Sequence, residues 1–386
     1  MIFSNVKSKF LKALDGMESG HLRLSLPDGQ EYEFGGKNHG PSADLRLHDW
    51  KVVRNLLLNG DIGFADDYKL GRWETKNLTD LISLALLNEN LTHKYIHGGF
   101  SAYILAKIAN IANMNTLRGS RRNISAHYDL GNDFYALWLD SSMTYSSAIY
   151  AYDGQPLQSA QMTKYDRILD NMNLSSGKIL EIGCGWGGFM ERASQKGDFA
   201  IKGLTLSQQQ KKYADQRLNG MGEVALQDYR IEQGVYDKII SIEMFEAVGE
   251  KYWDAYFQKI ASALKKGGSA FVQTITIADD RFENYRKNGD FIRQFIFPGG
   301  MLPSPSVFAA RAQKAGLQII EKFEFAHSYA KTLDVWLKNF NDKHAQIQNL
   351  GYDEKFMRLW KFYLSACIAG FQTGRTNVMQ VELRHA

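Results

Sequence analysis

The sequence predicts an α/β protein. Its main domain is a doubly wound, mostly parallel sheet, and a smaller α+β domain precedes it. Three observations carry this. Lys178 to Phe189, KILEIGCGWGGF, sets an apolar run of strand length directly against four glycines and then a polar helical stretch. After it, short apolar segments alternate with amphipathic helical ones, the pattern of strands joined by helices in a parallel sheet. Near Ile124 the text changes from simple strand and helix periods to a stretch dense in aromatic and small polar residues, which marks a domain boundary.

Taken in order, the first 16 residues, MIFSNVKSKFLKALDG, read as an amphipathic helix, too polar for a signal peptide. HLRLSLPDG alternates apolar and polar residues, and Pro27-Asp28-Gly29 is a turn signal before EYEF, so a hairpin is expected. Further short elements follow, with a helix from Leu78 to Leu87. Asp61, Asp66 and Asp67 read as surface turn acids, because a metal site wants more convergent ligands. The small domain is expected over 1–110. A linker follows over 111–123, and the large domain runs over 124–386; residues 98–123 carry an apolar helical stretch followed by Arg118, Arg121 and Arg122. The basic end is either a solvated helix terminus or a surface that meets lipid headgroups or another chain.

Within the large domain, AHYDLGNDFYALWLDSSMTYSSAIY is expected to be a ligand-facing loop, with aromatic core packing as the other reading. Gln161 to Asn173 is a helix with Met162, Tyr165, Leu169 and Met172 on one face. The glycine strand follows, and then a strand over Phe199 to Leu206. EVALQDY should end a strand at Asp228, and YDKIISIEMFE should end one at Glu246. Residues 250–268 should form a helix stopped by Gly267-Gly268, before strands SAFVQTITI and LQIIEKFEF. FIRQFIFPGGMLPSPS is too apolar for a solvated loop and reads as a wall of an acyl pocket. Two amphipathic helices span Thr332 to Gly374, and NVMQVELRHA is expected as a closing edge strand.

Ligands of such sheets lie outside the carboxyl ends of the strands. Gly183 to Gly188, Thr205, Asp228, Glu246 and Gln273 therefore share one rim. The glycines let the ligand approach the backbone, and the helix N-terminus adds partial positive charge. Glu181, two residues before the first glycine, suits a cationic ligand group and disfavours phosphate, and no Gly-Lys-Ser/Thr follows. S-adenosylmethionine (SAM) is the first reading; a dinucleotide or a plain tight turn remains open. No acid ends the second strand, so Thr205 and Gln210 would supply the polar contacts. Ser207 and Gln210 also have capping-box spacing.

A net charge of +4 is compatible with an anionic surface and establishes no partner by itself; no nucleic acid is expected. Two cysteines make neither a disulfide framework nor a zinc cluster, so a reducing compartment and no metal are expected. No apolar run approaches the ~18 residues that a membrane-crossing helix needs.

SRRNISAHYDLGNDFY, MTYSS, LEIGCGWGG, LTLSQQQ, EMFEAVGEKYW, FIFPGGMLPS and SYAKTL, in that order, resemble the cyclopropane-fatty-acyl-phospholipid synthases and their mycolic-acid relatives. The likeness is clearest from Arg121 to Phe340, and the amino-terminal module also resembles the longer bacterial members. The resemblance implies a class I SAM-dependent methyltransferase fold and action on unsaturated chains of membrane phospholipids. A homodimer is a further family expectation, and the lack of a spanning run, the amphipathic start and the basic residues Arg118, Arg121, Arg122, Lys211 and Lys212 lead to the expectation of a cytoplasmic protein peripheral to the inner membrane face. It places Gly183, Gly185, Trp186 and Gly187 in the SAM loop and Thr205 and Gln210 at the adenosine end. Tyr128, Tyr145 and Ser146 would face the methionine part, and Asp228 and Tyr229 the adenine edge. Family members hold a bicarbonate ion as base with a Cys, a Glu, a His and a Tyr. Glu246 and Tyr329 match the second and fourth; Ser147 and Gln273 stand where the Cys and His are usual. Neutral donors can keep an anion, but Gln273 cannot bring the positive charge of a histidine.

The implied chemistry is attack of the alkene on the sulfonium methyl, a chain carbocation, and proton loss from the new methyl with ring closure. A lipid C-methyltransferase giving a methyl-branched or methylene chain shares every step up to the cation. A SAM- or lipid-binding protein without turnover is a third reading.

Overall fold

Seven strands form the sheet that positions the site. They are β5 (Ser176–Ile182), β6 (Asp198–Thr205), β7 (Glu223–Leu226), β8 (Tyr236–Ile242), β9 (Leu264–Ile277), β10 (Leu317–Glu324) and β11 (Thr376–His385). Their order is β10-β11-β9-β8-β5-β6-β7, parallel throughout except that β11 runs antiparallel to both neighbours. The expected doubly wound fold is present. The computed structural model describes residues 2–91 and 130–386, so Tyr128, Arg118, Arg121 and Arg122 lie outside the described residues.

Both sheet faces are covered, which is why β5 and β8 read as near-continuous apolar runs. On one face Trp253, Phe257 and Ile260 of α8 (Trp253–Ala263) and Phe308 of α11 (Pro305–Lys314) pack on Leu180, Ile239 and Val272. On the other, α5 (Leu157–Asn171), α6 (Gly188–Lys196) and α7 (Gln208–Leu218) bring Ile168, Met190 and Ala214 against Ile179 and Ile240. α4 (Asn132–Ala136) and α12 (Ala326–Asp342) complete the elements near the site, and α9 (Asp279–Lys287) follows β9.

Several boundaries differ from expectation. β8 stops at Ile242, so Glu246 lies in a 3-10 turn, Phe245–Ala247, rather than on a strand. β7 stops at Leu226, and Asp228 caps a 3-10 turn. The helix after Glu250 ends at Ala263, where Leu264 already enters β9, so the glycines lie within a strand. β11 is not the edge: it inserts between β9 and β10, its central residues buried on both faces.

Contacts group residues 1–111, 287–296 and 344–374 into one unit and 112–286, 297–343 and 375–386 into the other. The boundary expected at 110–124 therefore misses two returns of the chain. In the first unit a four-stranded sheet, order β2-β1-β3-β4, contains the expected hairpin of β1 (Ser19–Ser25) and β2 (Glu31–Gly35), with β3 (Asn38–Leu47) and β4 (Trp73–Glu74). Its helices are α1 (Ile2–Leu14), α2 (Lys51–Lys69), α3 (Leu78–Leu87), α10 (Phe291–Phe295), α13 (His344–Asn349) and α14 (Glu354–Gln372). α14 returns because its apolar face, including Trp360, Leu364 and Ile368, packs on α2 and α3. Asp67 is fully buried and paired with Arg72 at 2.6 Å, not a surface acid. Among the described residues no helix is long and apolar enough to cross a membrane.

Candidate active site

The strand order reverses between β5 and β8, and the glycine loop leaves the sheet at that point. A cleft of about 1140 Å³, open mouth included, lies there. Gly183 has φ +85°, and a Cβ on it would fall 2.7 Å from Met244 Cγ. Gly185 has φ +52° and borders the cleft, where a Cβ would meet no protein atom. Gly187, φ +82°, caps the N-terminus of α6.

Most of the residues expected to meet the cofactor lie in the walls; Gly187 does not. Tyr145, Ser146, Gly183, Gly185, Trp186 and Thr205 border the cleft, as do Gln210, Asp228 and Tyr229. Thr205 Oγ1 donates to Gln210 Oε1 at 2.8 Å, fixing the amide so that its NH₂ is left for a ligand. Ser207 also caps α7, accepting from the Gln210 N–H at 3.2 Å. Asp228 is held back by Arg230, which donates through its backbone N–H, Nε and Nη2. Trp186 Nε1 donates to Asn132 Oδ1 at 2.8 Å, and its ring lies 5.1 Å from Tyr135. Tyr145 packs between Tyr135 and Trp336, at 5.4 Å from each ring. The ligand-facing stretch thus has its aromatics in a packed cluster as well.

Two ionisable groups in or next to the cleft wall are buried. Glu181 is in the wall with one carboxyl oxygen unpartnered, and burial pushes it up to about 8, against the pull of Lys164. Lys164, fully buried on α5, donates to Ser146 Oγ at 2.6 Å, and burial pushes it down to about 7. The sequence reading missed Lys164. Its signal was a polar residue three after Gln161 and four before Ile168, on the buried helix face.

At the inner end Glu243, also missed, gathers the residues expected to bind an ion. Its Oε1 accepts from the Ser147 backbone N–H at 2.8 Å and from Gln273 Nε2 at 2.7 Å; its Oε2 accepts from the Tyr329 hydroxyl at 2.6 Å. Gln273 Oε1 accepts from Gln380 Nε2 at 2.9 Å, so the donor end of Gln273 must face Glu243. Glu246 lies beside them. Its Oε1 accepts from Thr274 Oγ1 at 3.0 Å and from the Ile275 N–H, and its Oε2 is buried without a partner. Burial, then the charge of Glu243, pushes Glu246 up to about 8.

Residues 115–381 match the family model described as mycolic acid cyclopropane synthetase. The chain belongs to this family. It is 36% identical over 374 residues to the tuberculostearic acid methyltransferase UfaA1 of Mycobacterium tuberculosis, covering 93% of this chain and 86% of the relative. It is 31% identical over 370 residues to the cyclopropane-fatty-acyl-phospholipid synthase of Escherichia coli K12, covering 93% and 94%. The crystal structure of mycolic acid cyclopropane synthase CmaA1 with SAH and CTAB superposes with a TM-score of 0.64 at 32% identity, covering 68% of this chain and 97% of that one. As a member, the chain is a SAM-dependent methyltransferase of class I fold, with cyclopropane synthase or lipid methyltransferase activity. The glycine loop, the open space at Gly185 and the unpartnered oxygen of Glu181 fit SAM, whose sulfonium and ammonium groups are cationic.

Bicarbonate does not fit as a separate ion. Three of the four residues expected around it, Ser147, Gln273 and Tyr329, already donate to the Glu243 carboxylate. The Ser147 hydroxyl itself donates to the Ala148 carbonyl at 2.9 Å. The fourth, Glu246, is engaged by the β9 backbone.

Proposed function

We propose that this enzyme methylates the double bond of an unsaturated acyl chain in a membrane phospholipid. A carbocation forms on the neighbouring carbon, and proton loss from the added methyl closes a cyclopropane. The supporting observation is one cleft bordered by both the glycine loop and the half-buried Glu243. SAM, when bound, supplies an electrophilic methyl group. Gly183, Gly185, Trp186 and Gly187 would shape its seat, Thr205, Gln210, Asp228 and Tyr229 its adenosine end, and Tyr145, Ser146 and Glu181 its methionine end. Tyr145 borders the cleft and would offer a π face to a cation there.

A methylene or methyl-branched product is the second reading. The neutral residues at Ser147 and Gln273 favour it, as does the 36% identity to a relative named a methyltransferase rather than a cyclopropane synthase. Mass spectrometry of lipids after expression in a host lacking such enzymes tests both. We expect acyl chains heavier by one CH₂, and NMR of ring protons separates ring from branch. Unchanged lipids, with SAH still bound by the purified protein, would refute acyl-chain methylation.

Docking at the inner membrane face without spanning is part of this reading. Lys212 is exposed on α7, whereas Lys211 is turned to Asp215 and the Val224 carbonyl. Vesicle co-sedimentation should weaken with salt, because exposed charges are screened within about 10 Å at 0.1 M. A homodimer is the assembly we expect by sedimentation.

A further inference from the structure

Glu243 stands at the end of β8 with φ +50°, in the left-handed region that disfavours residues with side chains. Such a conformation persists only where surroundings over-determine it, and it clusters at functional sites. Here the surroundings are four polar contacts from different parts of the chain. The Glu243 N–H donates to the Gln273 carbonyl at 2.8 Å, and the carboxylate takes Ser147, Gln273 and Tyr329. A buried carboxylate would be more cheaply replaced by an apolar side chain if packing were its only task.

We propose that Glu243 is the catalytic base of this enzyme, a carboxylate of the chain itself standing where a bound bicarbonate would otherwise be held. The inference rests on the acyl-chain methylation proposed above. The C–H bond of the added methyl breaks and its electron pair forms the bond to the cationic carbon, closing the ring. The proton passes to Glu243 Oε2. Without ring closure, loss of a proton from a chain carbon beside the cation to the same oxygen gives a methyl-branched alkene; for a methylene chain the hydrogen of the methylated carbon first shifts as hydride to the cation, and the oxygen then takes a methyl proton whose electron pair forms C=CH₂. One proton is released to water per methyl transferred, and no oxidant or reductant is needed.

The geometry leaves room for this. A carboxylate offers about four lone-pair directions. Oε1 uses two of them and Oε2 uses one, so one direction on Oε2 is free, and Glu243 borders the cleft. Five groups face it from five parts of the chain: Ser147, Lys164 of α5, Glu246, Gln273 of β9 and Tyr329 of α12. Burial raises the proton affinity of Glu243; the Tyr329 hydroxyl, the charge of Lys164, the Ser147 N–H and Gln273 oppose it. Glu246 lacks the three donors and is raised further by the charge of Glu243. Of the two carboxyls, Glu246 therefore holds the proton and Glu243 stays the anion. A neutral Gln273 is then the appropriate donor, since a protonated histidine would lower the basicity of a base that is already charged and well bonded.

The test compares wild type, Glu243→Gln and Glu243→Gly in bicarbonate-free buffer and with added bicarbonate, using SAM and vesicles of an unsaturated phospholipid. Calorimetry with SAH is run on each protein, and ¹³C-bicarbonate binding is followed by NMR. We expect wild-type turnover to change less than about twofold on bicarbonate removal. Glu243→Gln should lose on the order of 10² to 10⁴ in turnover, the usual worth of a positioned base, with SAH affinity within a fewfold. Glu243→Gly should bind ¹³C-bicarbonate where wild type does not, and regain turnover when it is added. Full turnover by Glu243→Gln with methylated lipid formed, or a wild-type requirement for bicarbonate, overturns the base assignment alone. No methylated lipid from wild type under any condition overturns the acyl-chain reading and the base with it.

Discussion

The two ends of the cleft are built on different principles. The outer end is backbone: three glycines with positive φ, a helix N-terminus and one amide fixed by Thr205. The inner end is side chain on side chain, with Glu243, Gln273 and Tyr329 arriving from β8, β9 and α12. The outer end carries the glycines and the Thr205–Gln210 pair expected for a cofactor seat. The inner end has the expected tyrosine and glutamate, Tyr329 and Glu246, and a second acid, Glu243, beside them. On the function proposed above, the cofactor is held by backbone conformation and the base is set by single side chains.

Four substitutions sharpen that contrast. Gly185→Val puts a branched side chain at φ +52° and into the open space beside the loop. SAH affinity should fall at least about 100-fold by calorimetry, since left-handed geometry alone costs roughly 1–2 kcal/mol and lost fit adds to it. Unchanged affinity in a folded variant would show that the loop does not seat the cofactor. Tyr329→Phe removes one donor from Glu243, and a bond to a charged group is worth about 1.5–3 kcal/mol. Turnover should drop roughly 10- to 100-fold with SAH binding kept. The acidic limb of its pH–rate profile should move to higher pH, because losing that donor raises the proton affinity of the base. A limb that stays in place separates Tyr329 from the base.

Gln380→Leu frees the amide of Gln273, and a fewfold loss in turnover is expected, about the worth of one neutral hydrogen bond. Glu246→Gln should have the smallest effect on turnover near pH 7, because the residue it replaces is already neutral there. Its effect belongs to stability. Glu246 ordinarily titrates at 4.5 and is pushed up to about 8 when folded. The folded state therefore binds more protons than the unfolded state between those values. Stability from this site is full below 4.5 and is lost as pH rises through 8. The melting temperature of wild type should decline over that window more steeply than that of Glu246→Gln. Parallel curves would place Glu246 among ionised carboxylates.

The strands and the glycine loop were legible because their signals are local: apolar runs of strand length, and glycines where backbone must turn or approach a ligand. Glu243 and Lys164 were not. Glu243 reads as a strand-end acid until β9 and α12 deliver its donors, and those lie 30 and 86 residues away along the chain. Lys164 reads as a solvated position unless its place on the buried face of α5 is weighed above its charge. Matching a family pattern also drew attention to Glu246, three residues on, because a pattern shows which expected residues are missing but not which extra one has filled their space. The position of β11 was hidden for another reason: an apolar run identifies a strand without saying between which neighbours it inserts.

That insertion bears on how the enzyme assembles. β9 and β10 are separated in the finished sheet by a strand made after both of them. During synthesis β9 and the elements before it can associate, but β10 has no place to dock until β11 emerges. Gln380, the residue that aims Gln273 at Glu243, is carried on that late strand. The glycine loop can thus form around its cofactor before the base is oriented. Pulse-labelled hydrogen exchange during refolding should find β5 and β6 protected ahead of β10, as local pairings precede distant ones.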